Sequence, residues 1–263
     1  MAKVSYERRG SAAVVTITRP QRRNAVDTET AGELLDAYRR FEKDDDARAM
    51  VLTGEGDQAF CAGADLKAMA ELGPAATPEQ LDQIAGRPEG PMGFSRLTPS
   101  KPTIAAISGW CLAGGLELAL WCDLRIAAEG ARLGFTERRF GVPLIDGGTQ
   151  RLPRIVGLGR ALEMILTGRV IEAEHALDWG LLNEIVPAGT HLDRALEICE
   201  GLAAFPQPTM LSDRRAAVEG IGLTFEEGLA LEAQLGRASI DTGIGGAGRF
   251  ASGEGRGASG AGV

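Results

Sequence analysis

Apolar positions along this chain follow two different periods. In the first two thirds, runs of strand length are separated by glycine-containing loops and by stretches with helical spacing; from Thr149 onward helical spacing dominates. Val4–Arg9 and Ala12–Thr18 read as two short strands joined by a Gly10-Ser11 turn. Asp27 or Thr28 is suited to cap a helix whose apolar stripe is Ala31, Leu34, Leu35, Tyr38 and Phe41. AMVLTG (49–54) predicts a buried strand, AFCAGADLKAMA (59–70) a loop running into a helix, and PTIAAISG (102–109) a further strand. LELALWC (116–122) is apolar on every face, which predicts a buried helix. DLRIAAE, ARLGF and LNEIVP read as strands, and His191–Ala204 as a helix with Leu192, Ala195, Leu196, Cys199 and Leu202 on one face. Residues 72–93 hold no sustained period and predict a mobile or variable segment. The glycine-rich chain from Asp241 predicts a poorly ordered end. Strands alternating with helices imply the α/β class with right-handed crossovers.

Composition narrows the function classes. A length of 263 residues fits one α/β unit with a full core, and the net charge of −8 with no Lys/Arg-rich face argues against a nucleic-acid partner. Cys61, Cys111, Cys122 and Cys199 form no CxxC pair and no ligand-like spacing with His175 or His191, so a reduced, cytoplasmic chain without metal is expected. The N-terminal MAKVSYERRG lacks the apolar core of a secretory leader. The run 102–122 is long enough to span a bilayer, but Pro102, its glycines and a central acid make it a poor membrane helix, and no membrane partner is expected.

That acid, Glu117, is the only charged residue between Lys101 and Asp123. A carboxylate among apolar residues is costly unless it is hydrogen-bonded or paired, and burial raises its pKa. Gly114-Gly115 stands just before it, where a chain can bring backbone N–H groups close to a ligand. CAGADL (61–66) makes a second loop-to-helix junction of the same kind. Converging on one carbonyl oxygen, the two junctions would form an oxyanion hole; taken singly, each glycine merely turns the chain. Glu137 follows twenty positions after Glu117, beside Arg138 and Arg139, and by itself reads as a solvated helix-terminal residue. Two carboxyls in one pocket, however, titrate apart, so that one holds a proton while the other accepts one.

AFCAGADLKAM, then ISGWCLAGGLELALWCDLRIA, ARLGFTE and GGTQRLPRIVG, in this order and spacing, resemble the crotonase (enoyl-CoA hydratase/isomerase) superfamily; EAEHALDWGLLNEIVP and RFASGEGR extend the resemblance over nearly the whole chain. It implies a spiral of ββα units over residues 1–190 carrying the acyl-CoA site, and a helical C-terminal region, 191–263, that builds homotrimers or hexamers. It places Ala64 and Gly114 as the backbone donors of the oxyanion hole. Ala62, Ala64, Asp65 and Leu66 would grip the CoA portion of an acyl-CoA thioester, and Glu117 and Glu137 would be the catalytic acids of a hydratase, with no separate cofactor. Some isomerases of the superfamily keep only the second acid, so the presence of both points to hydration of a trans-2-enoyl-CoA. Double-bond isomerisation and a non-catalytic acyl-CoA- or RNA-binding role are the alternatives.

The chain departs from the hydratase pattern at VPLIDGGTQRL, where Asp146 introduces a further acid. It reads either as the N-cap of the helix that follows or as a third acid in the pocket. Arg22 and Arg23 suit the phosphates of CoA, as does Lys67, or are simply solvated. Trp110 and Phe135 are candidates for the acyl pocket or for core packing, and His175 and His191 read as structural or exposed.

Overall fold

The computed structural model describes residues 2–71 and 77–253. It falls into two compact units, Met1–Glu197 and Ile198–Val263. The first opens with the hairpin β1 (Val4–Arg9) and β2 (Ala12–Ile17), followed by α1 (Thr28–Lys43). Asp27 is the cap of α1, accepting the Thr30 N–H at 2.8 Å, and the stripe from Ala31 to Phe41 is buried as its spacing requires.

From β3 onward the chain winds as a spiral. β3 (Ala49–Gly54) leads to β4 (Ala59–Cys61), α2 (Leu66–Ala70) and α3 (Pro78–Ala85). β5 (Thr103–Ile107) leads to β6 (Trp110–Leu112) and α4 (Gly114–Trp121), and β7 (Leu124–Ala128) to β8 (Arg132–Gly134) and a 3-10 turn, Thr136–Phe140. Each turn gives its first strand to a six-stranded sheet, ordered β1-β2-β3-β5-β7-β10, and its second to a four-stranded sheet, β4-β6-β8-β9. The expected ββα architecture is therefore present. β3 and β5 are buried at every position, as parallel strands covered on both faces are. The corner between β5 and β6 needs Gly109: its φ is +53°, and a Cβ there would lie 2.1 Å from the Gln58 carbonyl oxygen.

The unit closes with α5 (Gly148–Val156), α6 (Leu158–Thr167), β9 (Val170–Glu172), α7 (Ala173–Asp178) and β10 (Glu184–Val186). α8 (His191–Ala204) carries the boundary between the units. In the second unit α10 (Phe225–Arg237) and α11 (Ile240–Ala251) both pack on α9 (Gln207–Glu219).

One expectation of irregular chain is corrected. Within 72–93, Thr77 forms a capping box with Gln80 and starts α3, so this part is regular; 72–76 lie outside the described residues. The stretch from Asp241 is the helix α11 despite its glycines, with the end of the glycine-rich tail, 254–263, outside the described residues. The apolar run 102–122 becomes β5, β6 and α4, and among the described residues no helix is long and apolar enough to cross a membrane.

Candidate active site

The two loop-to-helix junctions meet. A Cβ on Gly63 would lie 2.8 Å from the Ala113 Cβ and 2.9 Å from the Gly114 nitrogen, and one on Gly115 would lie 2.2 Å from the Cys61 carbonyl oxygen. Glycine at these positions lets the junctions touch backbone to backbone. Ala113, at the turn into α4, holds φ +52° without being glycine, strain of the kind that persists where the surrounding structure enforces it. The first junction is fixed from outside: Ala62 N–H donates to the Arg23 carbonyl, Val26 N–H to that of Gly63, and Asp65 N–H to that of Val26. Asp65 caps α2, and its carboxylate also meets the buried Arg19 guanidinium at 2.9 Å, which reaches Asp27 at 3.0 Å. Ala113 N–H donates to Gly134. Among the described residues the N–H groups of Ala64 and Gly114 donate to no backbone carbonyl, and both residues line one pocket of about 710 Å³.

Glu117 and Glu137 line the same pocket. Glu117 sits in the first turn of α4, 3% exposed, and its Oε1 accepts the N–H groups of Asp146 at 3.0 Å and Gly148 at 2.8 Å. Gly148 is the first residue of α5, so Glu117 caps that helix from a distance. Burial pushes the Glu117 pKa up to about 8, the Asp146 and Glu137 charges adding to it while the Gly148 and Asp146 N–H groups oppose it. Glu137 is corrected from a solvated residue to a buried one, 6% exposed, because the 3-10 turn folds it inward while Arg138 and Arg139 stay outside. Among the described residues neither carboxyl oxygen of Glu137 has a hydrogen-bond partner. Burial pushes its pKa up to about 7, against the nearby Arg138 charge. Two carboxyls ionising near neutrality beside two unused N–H groups can hold a polarised carbonyl and move a proton.

Asp146 is not the cap of α5; that position is Gly147, which has no side chain to offer. The Asp146 carboxylate instead turns to the loop before β5, accepting from Met92 N–H at 2.9 Å and from the Ser95 hydroxyl. Ala62, Ala64, Asp65 and Leu66 all line the pocket, whereas Arg23 is exposed and is not part of the lining; only its carbonyl supports the site, through Ala62. Of the two readings of Trp110 and Phe135, packing is the one the structure shows: neither is among the lining residues, Phe135 lies in the core behind Gly148, and Arg132 stacks over Trp110. His175 is exposed and His191 buried. The wall that sequence reasoning missed comprises Met69, Ile84, Met92, Phe140, Val142 and Ile145, an apolar set lining the same pocket as the carboxyls. Phe140 and Val142 follow Glu137 closely enough to have been found from it; Met92 carries no local signal.

Cys61 lies under the first junction, where burial pushes its thiol up to about 12, so it is packing and not a nucleophile. Among the described residues no group of three or more His, Cys, Asp or Glu side chains is placed to hold a metal ion.

The family model described as enoyl-CoA hydratase/isomerase matches residues 7–244. The chain is 37% identical over 235 residues to a short-chain-enoyl-CoA hydratase of Clostridium acetobutylicum, covering 88% of this chain and 87% of the relative. It is 35% identical over 226 residues to an (E)-benzylidenesuccinyl-CoA hydratase of Thauera aromatica, covering 86% of each. A crystal structure of an enoyl-CoA hydratase from Bacillus anthracis superposes with a TM-score of 0.86 at 33% identity, over 95% of this chain and 96% of that one.

Proposed function

The chain belongs to the enoyl-CoA hydratase/isomerase family, and from that premise we propose that it is an enoyl-CoA hydratase, adding water across the 2,3 double bond of a trans-2-enoyl-CoA to give a 3-hydroxyacyl-CoA. The observation that carries this reading is the pair of buried carboxyls, Glu117 and Glu137, in one pocket with the N–H groups of Ala64 and Gly114.

The chemistry follows from the charges. Conjugation makes C3 of an enoyl thioester electrophilic only so far as the thioester oxygen can take up negative charge. The Ala64 and Gly114 N–H groups would receive that oxygen, and donors aimed at developing charge act more strongly in the transition state than on the substrate. Between pH of about 7 and about 8 the carboxyl pair carries one proton between its members. The ionised member takes a proton from water as its oxygen bonds to C3, and the protonated member delivers its own to C2. The pair ends with its single proton exchanged between the two, ready to be redistributed. The Asp65-capped junction, with Ala62 and Leu66, would hold the CoA portion, and no metal or separate cofactor enters the scheme. Isomerisation needs a base free to reach C4, and Asp146 is a poor candidate because its Oδ1 is held by Met92 and Ser95. With both carboxyls in place, a non-catalytic role has less support.

Two finer points belong to the same reading. An assembly of three or six copies is supported by the exposed Phe225, Ile240, Ile244 and Phe250 of the second unit, apolar surface of the kind that subunit contacts cover. A cytoplasmic setting accords with the buried, unbridged thiols of Cys61, Cys111 and Cys122.

The test is the loss of enoyl-thioester absorbance with crotonyl-CoA and longer enoyl-CoA substrates. Glu117→Gln and Glu137→Gln should each lower kcat by about 10²–10⁴-fold, the range of a positioned acid–base group. Unchanged turnover in both variants would sink the assignment.

A further inference from the structure

Resting on the hydration reading, we propose that Asp146 is a positioning residue, whose carboxylate ties the Met92 wall of the thioester-oxygen site to the loop that holds Glu117. Three groups of contacts on separate chain segments carry this. The Asp146 backbone N–H donates to Glu117 Oε1 at 3.0 Å, fixing the carboxyl of α4. Its side chain points the other way, accepting from Met92 N–H at 2.9 Å and from the Ser95 hydroxyl. Two arginines then close the frame. Arg151 donates to the Asp146 carbonyl at 2.9 Å and the Ser95 carbonyl at 2.6 Å, and Arg96 donates to the Ile145 carbonyl at 2.7 Å.

Met92 is what connects this frame to the oxyanion donors. Its thioether lies over Gly114, where a Cβ would come within 2.9 Å of the sulfur. A shift of the 90–95 loop would move the surface against which the thioester oxygen sits, and a shift of Asp146 would move Glu117. One aspartate therefore sets both the donor side and the carboxyl side of the pocket. At 4% exposure, with its Oδ1 already accepting two bonds, it is engaged as a tie and not available as a third proton carrier.

The charged groups facing Asp146 are Glu117 from α4, Arg151 from α5 and Arg96 from the loop before β5; Glu137 faces Glu117 from the 3-10 turn. Removing a negative charge next to Glu117 favours its ionised form. Asp146→Asn keeps an oxygen for Met92 and Ser95 but drops the charge, so the limb of the kcat/KM pH profile governed by Glu117 should move to lower pH by about half a unit to one unit. Asp146→Ala removes the tie as well, and should lower kcat by about 10–100-fold with KM for crotonyl-CoA changed less than about threefold, the pattern of lost transition-state contacts.

Both variants and the wild type are to be compared by steady-state pH profiles and by titrating the Glu117 carboxyl resonance in protein carrying 13C-labelled glutamate, assigned by its disappearance in Glu117→Gln. A lower titration midpoint in Asp146→Asn together with the kcat loss in Asp146→Ala supports the proposal. An unmoved midpoint overturns it, and so does a variant that loses only thermal stability. A fall in Asp146→Asn as deep as in Glu117→Gln would make Asp146 a direct proton donor and also overturn it. If the wild type hydrates no enoyl-CoA, the hydration reading fails separately, and a Glu117 midpoint that differs between Asp146→Ala, which lacks the tie, and Asp146→Asn, which keeps it, still decides the tie.

Discussion

Glu117→Gln should make the protein more stable relative to the wild type as pH rises. A glutamate ionises near 4.5 when unfolded, whereas burial among apolar neighbours pushes this one to about 8. A raised carboxyl contributes stability that is complete below pH 4.5 and is lost as pH climbs through 8, because the unfolded chain releases the proton first. Between pH 6 and pH 9 the loss integrates to about 3 kcal/mol, at 1.36 kcal/mol per pH unit until the folded pKa of about 8 is passed. Glutamine is nearly isosteric, and its carbonyl can still accept the Asp146 and Gly148 N–H groups, so the variant should keep the fold while losing this slope. Urea unfolding followed by circular dichroism, at one protein concentration, gives the stability of both proteins at pH 6 and pH 9. The stability difference between variant and wild type should shift by about 3 kcal/mol in favour of the variant from the lower pH to the higher. A difference that is the same at both pH values would refute the reasoning, since it would place the Glu117 pKa at an ordinary value in the folded protein.

Gly114→Ala should lower kcat by up to about 10²–10³-fold, the cost of losing one oxyanion donor, by pushing the donor loop away from Met92, and adding Met92→Ala should restore part of it; steady-state kinetics on the double-mutant cycle measures the coupling. Arg19→Met should cost about 3–5 kcal/mol in urea unfolding, because it leaves Asp65 buried without its cation, while Asp27 keeps Lys3. The same variant should raise KM for the CoA thioester more than it lowers kcat, since Asp65 anchors the first junction and takes no part in proton transfer.

How legible each part was depends on whether its signal is local. The β1–β2 hairpin and α1 could be read because strand runs and a helical stripe repeat over enough residues to define a period. β4, β6 and β9 have only three residues each, too few for any period, and β6 is further hidden because the apolar run continues straight through the Gly109 corner from β5. Glu117 announced itself as an isolated acid within apolar sequence. Glu137 did not: flanked by two exposed arginines, it is buried only because a 3-10 turn folds back, and residue-level reading alone put it on the surface. The family resemblance, which depends on spacing across segments, found its place where local pattern could not. Asp146 was recognised as unusual, but its partners Met92 and Ser95 lie more than fifty positions earlier and could not be paired with it from sequence.

The unequal bonding of the two carboxyls makes them unequal as witnesses to activity. Glu117 serves the architecture as well as the reaction: without an acceptor there, the N–H groups of Asp146 and Gly148 at the head of α5 would be stranded in the interior. A descendant of this chain that had abandoned turnover would still have reason to keep an acceptor at 117. Glu137 has no such second employment among the described residues, since neither of its oxygens holds any of them in place and its burial only burdens the fold. For judging whether a related chain is still an enzyme, position 137 is therefore the more telling of the two.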